Sequence, residues 1–386
     1  MDGRLVEPDW PPLTLGEARA LLGQFPGCCE PIEILSVSPR PFSAASVVAT
    51  RTGRVFVKRH SQKVRDREGL LEEHRFLAHL LGAGAQVPRV FASASGETAI
   101  ETGEWSYEVH EVPAGLDLYE DAVSWTPFRA VGHAFSAGQA LAWLHLASEG
   151  YNASRRKPRP LVAGFTIFAA QNPGAELKRY LAARPALAED ADARSGGEQA
   201  LEMLAPFHAE LLPLLPALPP LWTHNDLHAS NLLWSDAGGD AQATAIIDFG
   251  LADRTHAVHD LAQAIERNIV EWLALVADHA HTDNVPVHLD HLRALLDGYE
   301  SVRPLSDEEA AALAPMTALC HAEFALTEAD YFLGALHSEE KARLASIDYL
   351  VGHARWFHSR GGRKLLDALR QWAEKRERHS QKAAQR

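Results

Sequence analysis

The chain has 386 residues, 46% of them hydrophobic, which is enough for two or three ordinary domains or for one bilobal enzyme with a sizeable core. Its formal net charge of −14 argues against a nucleic-acid-binding surface, which needs a basic footprint, and suits cationic small-molecule partners. No stretch reaches the roughly 18 uncharged apolar residues of a membrane span, so no membrane partner is expected.

The opening MDGRLVEPDW has no apolar h-region, so no signal peptide is expected. Cysteines occur at 28, 29 and 320; neighbours bridge each other poorly and an odd count leaves one over, so a disulfide framework is not expected and a cytoplasmic location is. Residues 14–24 read as a short amphipathic helix with Thr14 as N-cap. Strand-like segments follow at 32–37, 46–50 and 54–59, with a hairpin turn at Thr52-Gly53. Over 64–82, Leu70, Leu71, Phe76, Leu77, Leu80 and Leu81 recur at helical spacing, and Gly82 and Gly84 mark the end. Two further strands are expected at 89–93 and 105–112, before Pro113 and Gly115 break the pattern. The sum is a five-stranded sheet with one long helix inserted after its third strand.

From Phe128 onward the pattern is mainly helical, beginning with an amphipathic helix over 128–147 that ends in Ala142-Trp143-Leu144-His145. The polar stretch 148–160 contains Arg155-Arg156-Lys157, read as a solvated loop, and the Ala/Asp-rich residues near 188–197 read as another loop. Helical periodicity returns over 198–214, and a compact β-turn-β unit spans 221–249. The remainder is helical up to a charged tail after Arg370, read as a solvated helix end or disorder. There are no internal repeats.

The chemistry concentrates in THNDLHASNLLW and, after the turn-rich SDAGGDAQ, in TAIIDFGLAD. Asp226 and Asn231 lie five apart in a short loop, and a second short strand delivers Asp248 just before Gly250. Such a hairpin gathers two carboxylates and an amide around one point. Phosphoryl transfer needs that set: one carboxylate to accept from a hydroxyl, and an amide plus a carboxylate to hold Mg²⁺ against phosphates. His224, Asp226, Leu227 and Asn231 match the spacing of the kinase H-R-D-L-x-x-x-N element, and Asp248-Phe249-Gly250 is a D-F-G. Asn225 replaces the Arg of that element, there is no A-P-E, and His259-Asp260-Leu261-Ala262 starts a helix almost at once. With no room for an activation segment, a protein acceptor is disfavoured.

The pattern H-x-D-x-x-x-x-N, then I-D-x-x, then a D-L-A helix start resembles the aminoglycoside phosphotransferase and choline kinase-like superfamily of small-molecule kinases. The resemblance covers most of the chain and implies an α+β, bilobal, protein-kinase-like fold. A small lobe with an antiparallel sheet and one helix would lie within residues 1–112, and a mostly helical large lobe within 113–386. It implies Asp226 as catalytic base, Asn231 and Asp248 as Mg²⁺ ligands, and Asp260 as a buried brace; His224 itself reads as a structural hydrogen-bonding residue. Lys58 would contact the nucleotide phosphates and Glu73 would pair with it, although Glu68 and Glu72 compete for that role on the same helix. The backbone of Glu111 and Val112 would border adenine at the hinge. Family members usually carry Gly before the catalytic Asp, where this chain has Asn225, and a Gly-containing phosphate loop where this chain has Pro41–Ser46. Ser43 is the residue expected to meet phosphate there.

The donor is expected to be ATP, with GTP as the alternative, and the acceptor a hydroxyl on an aminoglycoside-like molecule, an amino alcohol or a hydroxylated amino acid. A monomer or homodimer is expected. Glu323, Glu328 and Asp330 are candidates for a cationic acceptor; the competing reading is a solvated helix face. His224 and His228, with His256 and His259 nearby, also suggest zinc, but H-x3-H spacing suits a helix and this segment reads as strand and loop. Trp272, Trp356 and Phe357 read as core rather than pocket lining. The other reading of the whole chain is a catalytically silent nucleotide-binding or regulatory module on the same fold.

Overall fold

The computed structural model describes residues 8–28, 30–277 and 285–384; Cys29 and residues 1–7, on which the cysteine and leader expectations partly rest, lie outside them. Helix α1 (Leu15–Leu22) is started by Thr14, which shares a capping box with Glu17. A five-stranded antiparallel sheet follows, built from β1 (Pro31–Val37), β2 (Ala44–Thr50), β3 (Gly53–Ser61), β4 (Ile100–Thr102) and β5 (Trp105–Glu111) in the order β1-β2-β3-β5-β4. One face buries Val48, Val55, Val57, Tyr107 and Val109 against Ala18, Leu21 and Leu22 of α1. Burying these side chains drives the sheet and α1 together.

Three local expectations shift. The β2–β3 turn is Arg51-Thr52, and Gly53 already pairs with Thr50 at φ 147°, a conformation glycine takes without strain. The segment 89–93 forms only a single bridge, Val90 to His110, because Ser93 turns the chain by bonding Glu97 through both its amide and its hydroxyl. The fifth strand is β4 instead. Helix α2 (Arg67–Gly82) starts three residues later than the periodicity suggests, where the Asp66 side chain caps the Gly69 amide.

The rest of the chain is mainly helical, beginning with α3 (Val131–Ser148), α4 (Pro173–Ala182), α5 (Pro185–Glu189) and α6 (Ala191–Leu211). The loop expected near 188–197 is therefore helix, with Asp190 capping α6 through the Ala193 amide. Its small residues serve close packing, since a Cβ on Gly196 would strike the Ser346 carbonyl and one on Gly197 would press on Leu177. Two antiparallel pairs carry the site loops: β6 (Pro220–Thr223) with β9 (Asp253–His256), enclosing the hairpin of β7 (Leu232–Trp234) with β8 (Ala243–Ile246). Helix α7 (Ala257–Ile269) leaves β9 directly, and all thirteen of its residues are buried.

Around α7 lie α8 (Trp272–Ala277), α9 (Leu289–Glu300), α10 (Asp307–Leu319), α11 (His321–Gly334) and α12 (Glu339–Arg343). A π-helical stretch, Leu344–Val351, leads into α13 (Gly352–Trp356), and α14 (Arg360–Ala384) takes the charged tail as helix. Helices α3 and α9 meet at reciprocal glycines: a Cβ on Gly138 would hit the Leu295 carbonyl, and one on Gly298 the Phe135 carbonyl. Trp272, Trp356 and Phe357 are core residues. Among the described residues no helix is long and apolar enough to cross a membrane.

Candidate active site

The loop from His224 to Asn231 is held by its own backbone. The amides of His224 and Asn225 donate to the two carboxylate oxygens of Asp260 at 2.8 Å each, and His145 Nε2 bonds Asp260 Oδ2 at 3.0 Å. Burial raises the Asp260 carboxyl, but His145 and these amides outweigh it and hold Asp260 below its usual range. Asn225 sits at φ 61°, in the left-handed region that glycine and asparagine adopt most readily. That explains how Asn stands where relatives usually carry Gly. Its amide also meets Thr223, Thr255 and the Leu251 carbonyl. His224 donates from Nε2 to the Ile247 carbonyl at 3.0 Å and accepts the Asp226 amide at Nδ1, 3.2 Å away, so one neutral tautomer ties both motif segments together.

The loop presents Asp226 to a cavity of about 190 Å³ that is also lined by Ser43, Lys58, Asn231, Asp248 and Glu328. Asn231 donates from Nδ2 to the Asp226 carbonyl (2.9 Å) and to Asp226 Oδ2 (3.3 Å), while Arg267 Nε lies 3.3 Å from Oδ1. Burial pushes the Asp226 carboxyl up to about 6, with Arg267 opposing the rise. Asp248, at φ 63°, behaves oppositely. Burial raises it, but Lys58 Nζ at 3.0 Å overrides that and holds it well below the usual carboxylate range. Two carboxylates in one cavity are thus driven apart in acidity.

Lys58 pairs across the sheet with Glu108, itself buried and bonded by His60 (2.9 Å) and His74 (2.8 Å). The expected Lys58–Glu73 pair is absent. Glu73 is buried and taken by Arg65 and Arg156, both at 2.8 Å, and does not itself line the cavity. Arg156 in turn is no solvated loop residue: it is 4% exposed and donates to the carbonyls of Gly69, Gly250 and Ala252. Glu111 ends β5 and Val112 follows it, and neither lines the cavity.

The three late acids divide as well. Glu323 accepts from the Ile167 amide and Thr166 hydroxyl, which makes it a loop anchor, and Asp330 pairs with Arg184 at 3.7 Å. Only Glu328 reaches the cavity, and burial pushes its carboxyl up to about 8. His228 lines the cavity, with Nδ1 engaged by the Ser230 hydroxyl, and burial keeps its ring well below the usual histidine range.

Three cations at the cavity escape motif reading: Arg65, already paired with Glu73, and Arg40 and Arg267. Arg40 precedes the 41–46 loop, where it bonds the Ala122 carbonyl and Ser124 and lies in the field of Asp117, Asp248 and Asp226. Arg267 is fully buried, its guanidinium 4.4 Å from the Phe324 ring centre, and none of its three nitrogens makes a hydrogen bond. The donor set suits a hard divalent cation. Among the described residues Asn231 Oδ1 and Asp248 Oδ2 accept no hydrogen bond, so the cavity offers two uncommitted oxygens, the ligand type such ions prefer.

An antiparallel sheet with α2 behind it, a helical body, and Lys58, Asp226, Asn231 and Asp248 around one cavity make this a protein-kinase-like phosphotransferase. Residues 41–305 match the model of the phosphotransferase enzyme family; the chain belongs to that family and is a small-molecule kinase with an alcohol acceptor. It is similar to the homoserine kinase of Gluconobacter oxydans, 29% identical over 254 residues that cover 65% of this chain and 67% of that one. Two further bacterial homoserine kinases align over 64% and 61% of their own lengths. Solved structures with a similar fold include an amicoumacin kinase in complex with AMP-PNP, Ca2+ and Ami, with TM-score 0.55, 13% identity and coverage of 88% of this chain and 92% of that one. A microcompartment-associated aminopropanol kinase has TM-score 0.54, 17% identity and coverage of 90% and 99%.

Proposed function

We propose that this chain transfers the γ-phosphate of ATP to the hydroxyl of a small amino acid of the homoserine type. The observation that carries the transfer chemistry is the opposed acidity of Asp226 and Asp248 within one cavity. A carboxylate lifted to about 6 is still ionised at neutral pH and is a competent proton acceptor, while one held low stays anionic throughout. Asp226 then orients the acceptor hydroxyl and takes its proton at a carboxylate oxygen. Asn231 Oδ1 and Asp248 would hold Mg²⁺, which when bound neutralises charge on the β- and γ-phosphates. Lys58 places a fixed positive charge beside Asp248, and Arg40 and the Ser43 hydroxyl border the phosphate side where relatives use glycine. Residues to about 112 act as the small lobe, with the Glu111–Val112 backbone at the adenine edge, and the rest as the large lobe.

The acceptor reading rests on Arg267 and Glu328. The Arg267 guanidinium faces Asp226 Oδ1 from 3.3 Å but makes no hydrogen bond, so its donors remain available to an anion of the acceptor, and the buried Glu328, whose Oε2 is also without a hydrogen bond, calls for a donor. Homoserine, named for the sequence relatives, offers a carboxylate, an ammonium and a primary hydroxyl. The test is a panel of homoserine, 3-aminopropan-1-ol and 4-hydroxybutanoate with Mg-ATP, read as ADP release. Homoserine should be preferred over both truncated analogues. Equal turnover of 3-aminopropan-1-ol would remove Arg267 from acceptor recognition, and no turnover of any hydroxylated amino acid would remove the proposed function.

A further inference from the structure

Behind the acceptor wall, away from the phosphate side, Glu266 of α7, His321 of α11 and His353 of α13 converge in the core. They are 0%, 2% and 3% exposed. Glu266 Oε1 lies 3.5 Å from His321 Nδ1 and 3.3 Å from His353 Nδ1, and the three ligand atoms fall within 4.8 Å of one another. Both Glu266 oxygens, both His321 nitrogens and His353 Nδ1 are buried without any hydrogen-bond partner.

The spacing is informative because the molecule contains a contrasting cluster. Around Glu108, His60, His74 and His110 approach to 2.9, 2.8 and 2.8 Å, and those of His60 and His74 are direct hydrogen bonds. The Glu266 cluster is wider. In a tetrahedron with zinc-to-donor bonds of about 2.0–2.1 Å, donors are separated by about 3.3–3.4 Å. The two carboxylate-to-imidazole separations of 3.3 and 3.5 Å are near that edge and exceed a normal charge-assisted hydrogen bond, while the two imidazole rings lie 4.0 Å apart between centres. A buried carboxylate with no donor is also costly unless a cation or proton accompanies it. Imidazole and carboxylate donors together suit zinc.

We infer that Glu266, His321 and His353 together bind one Zn²⁺ ion. Its place gives it a purpose. Each donor is a near neighbour in sequence of a cavity-lining residue: Glu266 of Arg267, His321 of Phe324, and His353 of Tyr349. One ion would pin α7, α11 and α13 and so fix the wall that carries Arg267. Trp272 supports the arrangement, stacking on His353 at 3.8 Å between ring centres and donating from Nε1 to the Glu266 carbonyl at 2.7 Å.

The experiment uses the full chain, stripped of metal, equilibrated with buffered Zn²⁺ in excess Mg²⁺, dialysed, and analysed for zinc by mass spectrometry. About one zinc per chain is expected, retained in Asp248→Asn, which alters the other cation-competent site, and lost in Glu266→Gln and His353→Gln. Because these substitutions can unfold the core, wild-type protein supplies an independent readout. Cobalt in place of zinc should give the intense visible absorption of a tetrahedral ion, and Zn²⁺ should raise the Tm of metal-free protein as mass action requires. Absence of stoichiometric zinc in wild type, zinc retained by folded His353→Gln, or zinc lost on Asp248→Asn overturns the inference.

Discussion

Replacing Arg267 by Gln tests how the cavity sets the acidity of Asp226. In the wild type the carboxyl stands at about 6, so it is roughly 90% ionised at pH 7 and roughly 10% at pH 5. The kcat/KM of the free enzyme should therefore fall about tenfold per pH unit on an acid limb centred near 6. Arg267 opposes the burial-driven rise from 3.3 Å, fully inside the protein. At an effective dielectric of about 20, a unit charge at that separation contributes about 5 kcal/mol, and one pH unit corresponds to about 1.36 kcal/mol. Even a quarter of that interaction moves the limb by about one unit. The sign is fixed: losing a neighbouring cation raises a carboxyl further, so Arg267→Gln should shift the limb upward by a pH unit or more. The assay is ADP release against pH at subsaturating acceptor. The overall drop from poorer acceptor binding is separate from the midpoint of the limb. A midpoint unchanged from wild type would refute the electrostatic role of Arg267.

Glu328, raised to about 8, is mostly protonated at pH 7; binding an ammonium-bearing acceptor should release close to one proton, seen as a buffer-dependent enthalpy in calorimetry and lost in Glu328→Gln. Asp226→Asn should stabilise the fold above pH 7. A carboxyl raised from 3.8 to about 6 on folding costs up to about 3 kcal/mol once ionised in both states, so the penalty grows as pH rises from about 4 to 6 and persists above; an unchanged or lower Tm at pH 8 contradicts the assignment. Arg156→Ala should lower stability by about 3 kcal/mol or more, because it strips a buried partner from Glu73 and leaves the Gly69 and Ala252 carbonyls without that donor; a denaturant midpoint within error of wild type would deny the buried pair its structural role.

The hairpin that carries Asp226, Asn231 and Asp248 was legible in the sequence because its information is local. His224, Asp226, Asn231 and Asp248 owe their grouping to two short strands and fixed spacings, and α1 announces itself through Thr14. What escaped is non-local. Arg156 and Glu73 are separated by 83 residues, so nothing in the polar run 155–157 distinguishes a buried cation from a solvated one. Arg267 lies on a helix buried on every face, where no amphipathic stripe marks the side turned toward the cavity. Glu323, Glu328 and Asp330 share one helix, and only tertiary packing separates a loop anchor and an Arg184 partner from a cavity residue. Gly196 and Gly197 read as loop because propensity penalises glycine, whereas the helix crossing at Ser346 and Leu177 requires it.

The proposed role of Asp226 meets its most direct test in single-turnover phosphorylation of homoserine by wild type and Asp226→Asn, with circular dichroism confirming that both are folded. Loss of a proton-accepting carboxylate should slow transfer by about 10²–10⁴-fold while ATP binding persists. Transfer within a few-fold of wild type by the folded variant would contradict it.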